Sequence, residues 1–256
     1  MIETGEELGG RSVRRDAPFP FRCHPGLACF NSCCRDKRLT LLPYDALRLA
    51  RGLGCTSGEL LERHAELEID PGSGWPTLRI RLAADGRCPF VGEAGCGVYR
   101  DRPTCCRVYP LARAIQLDGE GAPAETFLVE ATSSRCLGFG APPASTVDRW
   151  TREQGLEAYR AANDRIAKLF LDPRRPRPLA LAPAGIHAVV MALYNLDVFR
   201  AHAARPGFGA DCGLDAARVA RALASDEALL ELGQDWVAFR LFGRAGAAGD
   251  GGARPG

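Results

Sequence analysis

The spacing of apolar positions predicts a helix near the start of the chain. In LTLLPYDALRLARGLG, apolar side chains recur at Leu42, Ala46 and Leu49, which is the spacing of one helical face. Pro43 suits the first helical turn, where its missing N–H costs nothing, and Gly54 suits the end. The pattern therefore predicts a helix between these two residues.

A second short amphipathic helix is predicted directly afterwards, in TSGELLERHAELE. Thr56 or Ser57 provides the N-cap, and helical spacing continues from Leu60 to Glu68. The two helices are therefore predicted to form a helical hairpin.

Alternation of apolar and polar side chains then indicates strands. TLRIRLA (77–83) alternates with period two, as a half-buried strand does. LARAIQLDGEGAPAETFLVEA indicates two strands around a turn of Gly, Pro and Asp residues, and it leads the chain to Cys136. The first half of the chain is thus predicted to mix helices with a small antiparallel sheet.

From Thr146 onward, long stretches keep the 3.6-residue apolar period of helices, separated by breaks rich in Pro and Gly. We therefore predict an α+β fold, with short helices and a small antiparallel sheet followed by a helical C-terminal region. The predicted division is a flexible N-terminal lead (1–20), a cysteine-rich domain (21–143), the helical region (144–243) and a disordered tail (244–256).

Charge and hydropathy limit the partners and the compartment. The 256 residues carry 33 basic and 31 acidic side chains, a net charge of +2, so no overall field attracts nucleic acid or an anionic membrane. The most apolar window, 185–199, is interrupted by His187, Asn195 and Asp197 and is too short for a membrane span. The opening stretch lacks the apolar run of a secretory signal. We predict a cytoplasmic protein without nucleic-acid or membrane partners.

Nine of the eleven cysteines lie in three tracts, at 21–36, 86–114 and 133–140, whereas Cys55 and Cys212 stand alone. In a reducing cytoplasm persistent disulfides are rare, and clustered thiols more often bind metal or do redox chemistry. The odd count also argues against complete pairing, and adjacent Cys33 and Cys34 could form only a strained bridge. Metal binding is therefore favoured over a disulfide scaffold.

The motifs FRCHPGLACFNSCCRD, LTLLPYDALRLARGLG, RCPFVGEAGCGVYRDRPTCCRVYPLARA and CLGF occur in this order. In this order they resemble the YkgJ-type cysteine-cluster proteins, which are described as carrying a zinc- or iron-chelating domain, over about 21–140. Cys105 falls on a position that the family pattern leaves free. The resemblance implies these metal ligands: Cys23, Cys29, Cys33, Cys34, Cys88, Cys96, Cys106 and Cys136.

Eight thiolates suffice for two metal sites, because tetrahedral zinc and a [4Fe–4S] cluster each take four. One site with spare thiols is the alternative. Adjacent side chains diverge, so Cys33 and Cys34 are expected to serve different sites or different irons. Cys88 followed by Pro89 resembles the Cys-Pro end of ferredoxin motifs and tilts the prediction toward an iron–sulfur cluster, with zinc as the alternative.

Charged and histidine side chains near the cysteines leave two questions open. Four thiolates around a dication carry a net charge of about −2 that needs nearby positive charge. His24 adjoins Cys23 and is a further candidate ligand, while His64, His187 and His202 fall on helices and are expected to be structural. The basic residues near the ligands are either compensating charges or solvated surface: Arg35, Lys37, Arg38, Arg100, Arg102 and Arg107.

No sequence pattern for a known catalytic reaction is present. There is no Ser/His/Asp ordering, no HExxH stretch, and no phosphate-binding glycine loop followed by a helix. We therefore predict a cytoplasmic metal-binding protein that is non-catalytic or accessory, with the helical region available to a protein partner. The alternative is an iron–sulfur redox or protein-modification enzyme, or its subunit; a metal carrier or sensor is a third hypothesis.

Overall fold

The computed structural model describes residues 10–117, 123–130, 136–172, 174–175 and 179–243. The strands are β1 (Gly10–Ser12), β2 (Phe19–Phe21), β3 (Thr40–Leu41), β4 (Ala65–Ile69), β5 (Pro76–Ile80), β6 (Val91–Gly92), β7 (Gly95–Cys96), β8 (Leu111–Leu117), β9 (Pro123–Glu130) and β10 (Phe139–Ser145). The helices are α1 (Pro43–Leu53), α2 (Ser57–His64), α3 (Thr104–Val108), α4 (Val147–Glu153), α5 (Glu157–Phe170), α6 (Pro183–Leu193), α7 (Leu196–Ala203), α8 (Phe208–Cys212), α9 (Ala216–Leu223) and α10 (Asp226–Phe242). Two 3₁₀ turns lie at Ser32–Cys34 and Tyr99–Asp101.

The strands form small antiparallel sheets. Two have three strands, in the orders β1-β9-β8 and β3-β5-β4, and two are ribbons, β10-β2 and β6-β7. After β10 the described chain is helical. The predicted α+β fold with a helical C-terminal region is therefore confirmed.

Local capping explains the helical hairpin. Gly54, with φ of 65°, ends α1 in a left-handed conformation that glycine adopts without strain. Thr56 caps α2 by accepting from the Glu59 N–H at 3.1 Å, and the Glu59 carboxylate accepts from the Thr56 N–H at 2.9 Å. The helical pattern predicted as far as Glu68 is wrong about the end of this helix.

The chain leaves α2 at His64 because the next five residues pair with β5. The register runs from Ala65 opposite Ile80 to Ile69 opposite Pro76. Residues 77–83 were predicted as a strand, and β5 begins one residue earlier and ends at Ile80. The strand pair β8–β9 is confirmed, whereas its connecting turn lies outside the described residues.

Part of the predicted flexible lead is ordered. β1 pairs with β9, and β2 alternates buried Phe19, exposed Pro20 and buried Phe21. The two phenylalanines are part of the smaller of two hydrophobic cores, together with Phe127 and Val147. Residues 1–9 and the predicted disordered tail, 244–256, lie outside the described residues.

The larger core is shared by the cysteine-rich and helical parts of the chain. It contains Leu49 of α1 and Val189 of α6 in one cluster of buried side chains. Tyr44 packs edge-on against Tyr159, with ring centroids 5.1 Å apart. Within the described ranges, no helix has the length and apolar content needed to cross a membrane.

Candidate metal centre

Strand pairing brings the first and last cysteine tracts together. Phe21 pairs with Phe139, and the Arg22 N–H donates to the Gly138 carbonyl at 2.9 Å, so Cys23 and Cys136 follow and precede the same ribbon. We call Cys23, Cys29, Cys33 and Cys136 the outer group.

Two further observations connect the members of the outer group. The Leu137 N–H, next to Cys136, donates to the Cys29 sulfur at 3.2 Å. The pKa of Cys23 is raised by burial and then by the neighbouring thiols of Cys33, Cys136 and Cys29. Cys23 and Cys33 are nevertheless solvent-exposed.

The first and second tracts meet at a second set of thiols. The Cys88 N–H donates to the Cys34 carbonyl at 2.8 Å. Within the second tract, the Val91 N–H donates to the Cys88 carbonyl at 3.2 Å. Val91 then pairs with Cys96 across the β6–β7 ribbon. We call Cys34, Cys88, Cys96 and Cys106 the inner group; all four pack in the larger core, where Cys88 is buried.

Cys33 links the two groups. The 3₁₀ turn Ser32–Cys34 follows Asn31, whose backbone is left-handed with φ of 68° and whose side-chain amide donates to the Gly92 carbonyl at 3.1 Å. This bond ties the turn to the β6–β7 ribbon. The Cys33 thiol raises the pKa of both Cys23 and Cys34.

All four thiols of the inner group have a raised pKa. Burial raises the pKa of Cys88 and Cys96, while the pKa of Cys34 is raised first by its hydrogen bond with Cys33 and then by burial. For Cys106 the first cause is the Cys105 thiol, followed by burial. Thiolate coordination therefore has to release protons.

Across the described ranges, no three side chains of His, Cys, Asp or Glu already stand at positions that could hold a metal ion. The donor set nevertheless has the chemistry of a site for a thiophilic metal, because cysteine sulfur is a preferred ligand of zinc and iron. The Leu137 N–H donates to the Cys29 sulfur at 3.2 Å, and the backbone amides of Phe90 and Val98 lower the pKa of Cys88 and Cys96 against the larger effect of burial. Such bonds stabilise the thiolate form that a metal requires. Bringing four sulfurs around one metal would require side-chain rotation.

Comparison with known families gives the same assignment. Residues 22–136 match the CxxCxxCC family, described as "Putative zinc- or iron-chelating domain". The matched segment agrees with the cysteine-cluster family that the sequence motifs resemble. The match begins one residue before Cys23 and ends at Cys136, so it covers both cysteine groups, and it supports metal binding with zinc or iron as the metal. No curated protein and no solved structure matches the chain.

The basic residues of the CxxCxxCC domain divide sharply by burial. Arg102 and Arg107 are each only 7% exposed, whereas the other four basic candidates lie at the surface. Arg35 and Arg38 form ion pairs there with acidic side chains. The pattern of charges along the sequence distinguishes none of these six positions, so the buried pair could be found only from the fold.

Asp45 is a residue of the centre that the sequence does not indicate as functional. It is fully buried, and its Oδ1 accepts from the Thr104 N–H at 2.9 Å and from the Thr104 hydroxyl at 2.6 Å. Its Oδ2 accepts from the Leu42 N–H at 3.0 Å. Asp45 thus fixes α1 to the first residue of α3, the helix that carries Cys106. Burial raises the pKa of Asp45 to about 6.

The remaining cysteines have structural surroundings. The Cys105 thiol donates to the Thr40 carbonyl at 3.4 Å, with the Cys106 sulfur 4.0 Å away. Cys55 and Cys212 pack at the edge of the larger core. Their surroundings are those of small apolar side chains.

The histidines differ in their partners. The His24 Nδ1 accepts from the Gly26 N–H at 3.2 Å, and its side chain is exposed. His64 lies against the Phe90 ring, with centroids 5.2 Å apart. His202 packs against three aromatic rings, which is a structural environment. His24 is the histidine beside the outer group.

Proposed function

We propose that the chain is a non-catalytic metal-binding protein whose CxxCxxCC domain holds metal in two four-thiolate sites, one in each cysteine group. The observation that supports this most strongly is the joining of the three cysteine tracts by backbone pairing: the β2–β10 ribbon connects the first tract with the third, and the Cys88 N–H donates to the Cys34 carbonyl between the first and second. The Leu137 N–H, which donates to the Cys29 sulfur at 3.2 Å, adds support, because metal-bound sulfurs commonly receive such hydrogen bonds. Sulfur ligands suit zinc and iron–sulfur clusters and disfavour hard cations such as Mg²⁺.

The inner group would supply stability. A metal held by its thiolates would tie together the 3₁₀ turn Ser32–Cys34, the β6–β7 ribbon and α3, which are short elements with few backbone hydrogen bonds of their own. Metal binding to such a set adds directly to the folding free energy. The accessory role follows from this, with the helical region as the surface for a protein partner.

We favour an iron–sulfur cluster as the bound metal group, because Cys88 followed by Pro89 resembles the Cys-Pro end of ferredoxin motifs. Zinc is the alternative. A reducing compartment, hence the cytoplasm, is part of the proposal. Its support is that all eleven cysteines are free thiols in the described part of the chain.

The test is metal analysis of the full chain purified anaerobically. Brown protein that contains iron and sulfide and bleaches in air would identify clusters, whereas colourless protein with stoichiometric zinc would identify zinc. Cys23→Ser and Cys88→Ser should each remove the metal of one group and leave the other, while Cys212→Ser, the matched control, should remove neither. Wild-type protein that retains neither iron nor zinc would refute the proposal.

The exposure of the outer group favours a second candidate function. Cys23 and Cys33 reach the surface, where a partner could exchange electrons or metal with a site at that position. This supports the iron–sulfur redox or protein-modification enzyme, or its subunit, and also the metal carrier. Reversible bleaching by dithionite followed by air, without loss of iron, would favour the redox function over the purely structural one.

A further inference from the structure

Two arginines of the cysteine-rich part, Arg35 and Arg87, lie opposite each other in a single antiparallel bridge. One backbone hydrogen bond flanks the bridge on each side: from the Asp36 N–H to the Gly86 carbonyl, 2.9 Å, and from the Cys88 N–H to the Cys34 carbonyl, 2.8 Å. This is the pattern of a non-hydrogen-bonded pair, in which the two side chains leave on the same face with Cβ atoms about 5 Å apart. Two like charges at such a position repel each other and destabilise the pairing.

Neighbouring carboxylates compensate these two charges only in part. The Arg35 guanidinium donates to the Asp85 carbonyl, and it lies 3.4 Å from the Asp85 carboxylate, which is long for a charge-assisted hydrogen bond. Arg87 forms no ion pair with any residue in the described ranges, and its side chain is exposed. An anion in contact with both guanidiniums would therefore replace a repulsion with two attractions.

A cavity of about 260 Å³ opens where these two arginines lie, and both of them line it. Asp36 brings one negative charge to the lining, so the charge of the lining remains positive. A Cβ at Gly86 would lie 2.0 Å from the Asp36 Oδ1, which shows that this carboxylate lies against the turn at Gly86. The volume is below the about 300–1,000 Å³ of pockets for drug-sized ligands, so the cavity suits a small molecule.

We propose that this cavity binds a small oxyanion, the carboxylate or phosphate group of a small molecule, between Arg35 and Arg87. The guanidinium group matches both ligands, because its N–H donors form a fork that binds two oxygens of a carboxylate or a phosphate. Ser32 and Cys34 also line the cavity, so the ligand would lie beside the inner group. Binding of the oxyanion needs no metal, and the inference therefore goes beyond the proposed function and stands or falls independently of it.

The experiment measures binding of two probes to the full, reduced chain by isothermal titration calorimetry. The probes are inorganic phosphate and tricarballylate, a tricarboxylate without the hydroxyl that helps citrate to chelate metals. Arg35→Gln and Arg87→Gln should each weaken binding about 10-fold, through loss of a charge-assisted contact. Asp36→Asn should strengthen binding about 3-fold, because it removes the negative charge from the lining, and Asn tolerates the left-handed backbone there, with φ of 55°. Arg100→Gln, at an exposed arginine outside the cavity, is the matched control and should leave binding unchanged.

Weaker binding by Arg87→Gln together with tighter binding by Asp36→Asn supports the site, and the probe that binds more tightly identifies the carboxylate or the phosphate. The inference is overturned if wild type binds neither probe at millimolar concentration. Equal weakening by Arg100→Gln also overturns it, since general attraction to a basic surface would then be responsible. Should the arginine variants not fold, NMR of wild type decides: the Nε–H signals of Arg35 and Arg87 must shift more than that of Arg100. Metal content enters none of these measurements, so failure of this site and failure of the metal-binding function are distinguishable.

Discussion

Replacing Asp45 with Ala tests whether this buried carboxylate holds helix α3, which carries Cys106, in place. The substitution removes the acceptor of three hydrogen bonds. Asp45 accepts from the Thr104 N–H at 2.9 Å, from the Thr104 hydroxyl at 2.6 Å and from the Leu42 N–H at 3.0 Å. A hydrogen bond contributes about 1 kcal/mol net, so the free energy of unfolding at pH 7.5 should fall by about 3 kcal/mol. Urea unfolding followed by tryptophan fluorescence measures it.

The pH dependence gives the sharper part of this prediction. The folded-state pKa of Asp45 is about 6, above its ordinary value of 3.8, because burial disfavours the charge. As the pH falls, the folded protein therefore binds a proton before the unfolded chain does. The stability from this protonation is fully present below pH 3.8 and is lost as the pH rises through 6. The free energy of unfolding of the wild type should therefore be about 1.4 kcal/mol higher at pH 5 than at pH 7.5. The Ala variant, which lacks this carboxyl, should not gain that stability.

The difference in stability between wild type and Asp45→Ala should thus grow from about 3 kcal/mol at pH 7.5 to about 4.5 kcal/mol at pH 5. Taking the difference at equal metal content cancels the titration of the cysteines, which both proteins share. The exposed carboxylate of Glu62 provides a control, since Glu62→Ala should change stability by less than about 0.5 kcal/mol. An Ala effect that is the same or smaller at pH 5 would refute the role assigned to Asp45.

Three further outcomes are expected. Cys88→Ser should lower the melting temperature of metal-loaded protein, whereas Cys55→Ser should leave it and the metal content unchanged; equal losses would contradict the division between family-pattern and solitary cysteines. Gly233→Ala should cost more than about 2 kcal/mol in urea unfolding, because a Cβ there would lie 2.2 Å from the Ala192 carbonyl oxygen, where α10 crosses α6. Asp197→Ala should lower the melting temperature by about 2–4 °C, since it removes an acceptor 2.7 Å from the Ser57 N–H at the start of α2; an unchanged melting temperature would contradict this.

Features decided by neighbouring residues could be predicted from the sequence. The starts of α1 and α2 and the end of α1 follow from Pro43, Gly54 and Thr56, whose effects act within one helical turn. The α+β class and the helical region follow from periodicity in the same way. The end of α2 could not be predicted, because pairing with β5, more than ten residues away, competes with the local helical pattern after His64.

The candidate site was predictable in composition but not in arrangement. Clustering and the family pattern select the cysteines, yet which thiols approach each other depends on the β2–β10 pairing and on the β6–β7 ribbon. Burial of Arg102 and exposure of Arg100, two positions apart, depend equally on tertiary contacts. Asp45 has the local signature of an ordinary helix cap, and its bonds to Thr104 bridge parts of the chain that the sequence does not show to be close.

The division of the core indicates how far a metal would control the fold. The larger core includes fully buried Leu41, Leu49 and Leu78 from the cysteine-rich part and Leu193 and Leu229 from the helical region. None of these side chains depends on a sulfur ligand, and burial of each contributes about 1.5–3 kcal/mol. The 3₁₀ turn at Cys34 and the β6–β7 ribbon have no comparable support, because each is only two or three residues long. A chain built in this way is stabilised by its core in the α1–α2 hairpin and the helical region, and a bound metal would add stability mainly where the cysteine tracts meet. That distribution distinguishes it from small zinc domains, in which the metal takes the place of a core altogether.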